Sequence, residues 1–134
     1  FAGLAEGLEA EVQALTAAGK TVILVGPVPE PGFDVWDRVA MQIWRDGALR
    51  QPLTIPATAA LGHAAPAREI LTGAAAATGA VWIDPAPLFC AEGGDCRLTA
   101  EGQSLYFDDS HLAIAGVQRL VPLLEQAVLQ GLGR

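Results

Sequence analysis

The residues best suited to chemistry in this sequence lie in one short stretch, LYFDDSHLAIAG, at 105–116. Asp108, Asp109, Ser110 and His111 are consecutive there, and His111 is one of only two histidines in the chain. The stretch is too short to be a solvated charge run. A carboxylate three residues before a histidine, in a turn entering a helix, allows both side chains to face one cleft. In such a pair the carboxylate accepts the imidazole N–H, fixes the tautomer, and stabilises the imidazolium as the other nitrogen takes a proton. Asp108 and His111 are therefore a candidate orienter and general base that still need a nucleophile. The competing reading is structural, because Asp or Ser before an apolar-periodic helix is a common N-cap and acids suit a helix N-terminus.

The elements that must position this stretch alternate between helical and extended signals. Residues 3–18 repeat apolar positions at Leu4, Leu8, Val12 and Leu15, a helical spacing that Gly19 stops. TVILVG (21–26) is a continuous apolar run rich in β-branched residues, which predicts a strand buried on both faces. The loop GPVPEPG follows, with prolines that forbid helix and ladder alike. Residues 33–44 and 65–79 read as helices, and the weakly patterned span 46–64 between them reads as loop. AVWIDP (80–85) is a second buried strand, 88–107 holds a loop with a short hairpin, and a final helix runs from His111 to about Gln130. Pro122 either kinks that helix or opens a second segment. The order predicts one α/β domain with a parallel sheet covered by helices. Two strands are too few for such a sheet, so the expectation is a sheet lacking part of its strands rather than strands missed in 46–64 and 97–107.

Composition narrows the function. A chain of 134 residues, 51% hydrophobic, holds one folded domain. A net charge of −7 argues against nucleic acid or an anionic membrane surface, which need clustered Lys and Arg. No apolar run approaches the ~18–20 residues of a bilayer span, and no signal-peptide pattern is visible. The chain opens at Phe1 and reads as an excised or processed segment. Gly19-Lys20-Thr21 imitates the end of a phosphate-binding loop, but the earlier glycine is replaced by Ala14 and the helix precedes the strand. Cys90 and Cys96 lack the spacing and neighbours of a zinc site. They close a short Gly-containing loop and read as a disulfide, which implies an oxidising compartment. Two free thiols in a reducing compartment remain the alternative. His63 reads as an ordinary surface histidine, and the acids of the first helix as a solvated face.

The segment SLYFDDSHLAIAG resembles the PLYxDxxHLSxxG block of SGNH-type (GDSL-like) esterases and acetyltransferases. It is most similar to the SGNH domain appended to bacterial membrane acyltransferases of the acyltransferase-3 family. Leu105, Tyr106, Asp108, His111, Leu112 and Gly116 match; Ser104 and Ala113 depart from the usual Pro and Ser. LTAAGKTVILVGPVPEPGFDV and IDPAPLFCAEGGDCRL resemble the helix–strand–loop and paired-cysteine segments of the same family. The resemblance implies a flavodoxin-like three-layer α/β/α fold, with Asp108 and His111 as catalytic residues and Gly26, Pro27 and Pro29 lining the cleft. It implies no cofactor and no metal. The implied reaction is two-step acyl transfer from an acyl donor to a carbohydrate acceptor of the cell envelope, on the periplasmic face of the inner membrane. The implied partner is an upstream polytopic acyltransferase domain of the same protein.

The same resemblance marks what is missing. The family's nucleophilic serine lies in a Gly-Asp-Ser block that does not occur here, and the chain has no asparagine for the oxyanion hole. Its only serines are Ser104 and Ser110, and Ser110 adjoins the histidine too closely to serve as a triad serine. The expectation is that residues 1–134 are the C-terminal portion of one SGNH domain, incomplete on its N-terminal side. Other readings are a fragment of a free-standing SGNH esterase or lipase, a non-catalytic carbohydrate-binding derivative, and a cytosolic flavodoxin-like regulatory domain.

Overall fold

The computed structural model describes residues 2–132. Helix α1 (Ala2–Ala17) leads through a Gly19 turn with φ 76° into strand β1 (Ile23–Val25). Helix α2 (Val35–Asp46) follows the Pro-rich loop. Its start is set by Asp34, whose Oδ1 accepts from the backbone N–H of Trp36 at 2.8 Å, and its end by Gly47 in the left-handed region. Strand β2 (Thr54–Pro56), short helix α3 (Ala57–Gly62) and helix α4 (Ala65–Thr78) come next. Strand β3 (Val81–Ile83) is followed by a 3₁₀ turn at Ala86–Leu88. Strands β4 (Asp95–Arg97), β5 (Thr99–Ala100) and β6 (Gln103–Ser104) precede the long helix α5 (Ile114–Leu132). Helix α5 runs unbroken through Pro122, so the proline does not open a second segment.

β1 and β3 pair in parallel, Ile23 opposite Val81 and Val25 opposite Ile83, as the two apolar runs predict. Helix α4 packs on both strands and on α1, while α5 contacts β3 and β6. The span 46–64 is not simply loop, since it holds β2 and α3. β2 pairs antiparallel with β4, a strand not expected in 46–64, and β5 pairs antiparallel with β6 as the short hairpin expected within 88–107. They form separate ladders and do not extend the parallel pair, which carries no third strand among the described residues. The expectation of strands buried on both faces is corrected too. Ile23 and Leu24 are half-buried and Val25 is 41% exposed.

The core lies away from that pair. Val35 and Val39 of α2 pack with Phe89, Leu98, Leu105 and Tyr106, all 3% exposed or less. The carboxyl end of β3 is fixed by a two-pronged ion pair between Asp84 and Arg68 of α4. The Arg68 guanidinium and the Ala86 backbone N–H hold the Asp84 carboxyl below its ordinary pKa, against partial burial. At the end of β1, Gly26 is required by its neighbour, since a Cβ there would lie 2.6 Å from Trp82 Cη2.

Cys90 and Cys96 form a disulfide, and no free cysteine remains. Their loop also closes through backbone bonds from Ala91 to Asp95 (3.1 Å) and from Gly94 to Ala91 (3.1 Å). Cross-linking so short a loop removes about 2–3 kcal/mol of unfolded-state entropy. Melting followed by circular dichroism should therefore fall by roughly 10 °C on adding reductant. An unchanged melting curve would remove the bond from the stability of this domain.

Candidate functional site

The site is built on one reversal of the chain. Leu105 and Tyr106 are buried anchors, the Tyr106 ring lying 5.9 Å from that of Phe89. The Tyr106 hydroxyl has no partner among the described residues, and burial pushes its pKa up. Beyond it the backbone turns back on itself. Phe107 N–H donates to His111 O at 2.7 Å, Tyr106 bridges Leu112, and Ala113 N–H donates to Leu105 O at 2.9 Å. Asp108 to His111 are thus strung between paired backbone positions at both ends.

Within the turn the Asp108 carboxylate uses both oxygens. Oδ1 accepts the backbone N–H of Ser110 at 2.9 Å and of His111 at 2.7 Å. Oδ2 lies 2.8 Å from His111 Nδ1. The two backbone N–H groups, helped by the histidine, hold the carboxyl down to about 2 against slight desolvation. Such a group is ionised at neutral pH and can only accept, so Nδ1 carries a proton, and in the neutral ring Nε2 is the nitrogen that presents a lone pair. Nε2 has no partner among the described residues, and the His111 side chain is 77% exposed. Because the folded carboxyl titrates below its ordinary 3.8, the turn gains stability above that pH and loses it as pH falls towards 2.

The helix-cap reading is corrected by the same geometry. Helix α5 begins at Ile114, three residues later than the sequence suggests, because Leu112 is drawn into a bridge with Tyr106. Asp108 caps its own turn and not the helix.

Neither serine lies opposite Nε2. Ser110 Oγ donates to Asp109 Oδ1 at 3.0 Å and lies 3.4 Å from Nδ1, the nitrogen Asp108 already occupies. Ser104 is buried, its hydroxyl donating to Tyr106 O at 2.7 Å.

Gly26 and Pro29 are buried, while Pro27 is half-buried. His63 is exposed and lies beside Gly32. An apolar groove of about 520 Å³ flanks the turn, lined by Trp36 and Ile43 of α2 and by Phe107, Ala113 and Ile114. Sequence reasoning did not single out this groove, since its two walls are some seventy residues apart (on the order of seventy, a long-range packing contact). Among the described residues no group of His, Cys, Asp and Glu is arranged to hold a metal ion, and no helix is long and apolar enough to cross a membrane.

Asp108 and His111 thus form an oriented pair on the loop before the last helix of an α/β domain. The family model described as SGNH domain (fused to AT3 domains) matches residues 1–126. The chain belongs to this family, and its fold is accordingly of the SGNH α/β type. No curated protein and no solved structure matches it. Membership associates this domain with an acyltransferase-3 part in the same protein.

Proposed function

We propose that this domain supplies the Asp108–His111 half of a serine acyl-transfer site, in a protein that O-acetylates a cell-envelope carbohydrate. The observation that carries the reading is the His111 ring, tied to an ionised Asp108 through Nδ1 with Nε2 left open. That is the arrangement a general base needs. The base takes the proton of an attacking serine, returns it to the leaving group, and then deprotonates the acceptor hydroxyl. The acyl group passes from donor to serine oxygen and from there to the sugar oxygen.

The serine comes from a segment outside residues 1–134 in this reading, which makes these residues the C-terminal portion of the domain. Two observations support it: both serines of the chain are engaged away from Nε2, and the β1–β3 pair carries no third strand among the described residues. The disulfide suits the periplasmic side of the membrane, where such bonds persist.

The test is active-site labelling of the longer protein with a fluorophosphonate, followed by peptide mapping. The label should land on a serine upstream of Phe1 and should depend on His111. Labelling of Ser104 or Ser110, or none at all, would overturn the reading.

A further inference from the structure

Eight basic residues are spread through a chain of net charge −7, yet three of them converge on one cavity. Arg50 comes from the loop after α2, Arg97 from the end of β4 and Arg119 from α5; all three line a cavity of about 450 Å³. Other arginines have partners: Arg45 pairs with Asp46, Arg68 with Asp84, and Arg38 lies 4.7 Å over the Phe33 ring. Among the described residues none of the three cavity arginines is ion-paired. Guanidinium groups that outnumber the carboxylates around them repel one another, and an acidic chain has carboxylates to spare for them.

The cavity is fixed by the fold. Leu53, which ends the Arg50 loop, donates its N–H to Thr99 Oγ1 at 2.8 Å and accepts from Leu98 N–H at 2.8 Å. The opposite rim is the β5–β6 turn, held tight by Glu101 and Gly102 at φ 53° and 76°. Glu101 is the one carboxylate in the lining, so three guanidiniums against one acid leave a surplus of two positive charges. A phosphomonoester carries about −1.5 to −2 at neutral pH and offers three acceptor oxygens. Arginine forks match those oxygens two at a time. A volume of about 450 Å³ exceeds what a bare phosphate fills and suits a sugar-sized body, for which Leu49 and Pro52 provide an apolar wall.

We infer that this cavity binds a phosphomonoester, carried by a sugar or by a lipid headgroup. The inference rests on the cavity alone and is independent of the acyl-transfer reading. Gly102 at the hairpin tip lines both this cavity and the apolar groove beside the His111 turn.

Binding to the full chain is measured by calorimetry with a hexose 1-phosphate, inorganic phosphate and the unsubstituted hexose. Co-sedimentation uses phosphatidylcholine vesicles with and without phosphatidic acid. The expected result is a hexose 1-phosphate Kd of about 1 mM or tighter, at least several-fold weaker binding of inorganic phosphate, and none of the hexose. Arg97→Gln and Arg119→Gln should each weaken binding by about tenfold, the loss of a charge-assisted hydrogen bond. Glu101→Gln should tighten it several-fold, a gain that misfolding cannot imitate. Arginine-dependent capture by phosphatidic acid vesicles, with no binding of the sugar phosphate, supports the site and assigns it to a headgroup. No binding of either phosphomonoester at about 10 mM (a Kd far weaker than a built site gives), or binding untouched by all three substitutions, overturns it.

Discussion

His111→Ala, introduced into the protein that carries the nucleophile, should lower turnover of p-nitrophenyl acetate by about 10⁴–10⁶-fold, with KM little moved. The size follows from the geometry. Asp108 Oδ2 holds Nδ1 at 2.8 Å, so the whole proton-transfer capacity of the turn is concentrated on Nε2. Removing the ring removes the acceptor for the serine proton in both steps. Asp108→Asn should cost about 10⁴-fold through a different route, because an amide donating to Nδ1 forces the proton onto Nε2. The asparagine oxygen can still accept from the Ser110 and His111 N–H groups, so that variant keeps the turn and isolates the chemistry. Circular dichroism separates the two effects. Activity within tenfold of the parent in both variants would reduce the segment to a well-capped turn.

The second large effect belongs to a residue with no functional group. A Cβ at Gly116 would lie 2.2 Å from the Leu105 carbonyl oxygen and 3.0 Å from Leu112 Cδ2. The first of these is backbone and cannot swing aside. The same carbonyl accepts the N–H of Ala113, the bond that closes the outer end of the His111 reversal. Gly116→Ala should therefore destabilise the domain by about 3 kcal/mol or more, the upper end of what overpacking costs, and displace the turn from α5. Gly73 in α4 makes the contrast, with nothing within 4 Å of its added Cβ. Gly73→Ala should raise stability by about 0.5–1 kcal/mol by restricting the unfolded chain. Paired thermal melts decide the matter: equal shifts in the two variants would mean that α5 does not press on Leu105 as described.

The site was legible in the sequence because its parts are neighbours in it. Asp108 and His111 need only a tight turn to meet, and Cys90 and Cys96 only a short loop. The parallel strands were legible too, since each is a short uninterrupted apolar run. β2 was not. Its three residues end in Pro56 and owe their extended form to β4, which lies far along the chain. No local pattern announces such a pairing. β5 and β6 were expected only as a short hairpin somewhere in 88–107, since strands of two residues each are below the length at which alternation can be read. The late start of α5 has the same character: Leu112 is apolar and helix-compatible, but tertiary pairing with Tyr106 claims it. The convergence of Arg50, Arg97 and Arg119 has no signal in one dimension at all.

The bonds that orient His111 all run between residues a few positions apart, whereas the parallel pair must bring Ile23 to Val81. Turns of the first kind close on the sub-microsecond to microsecond scale, and pairings of the second kind are among the slow steps of folding. The acid–base pair can thus reach its working geometry while the sheet is still open. When the whole chain refolds from the unfolded state, the proton acceptor can be oriented by its neighbours before the long-range strand pairing closes.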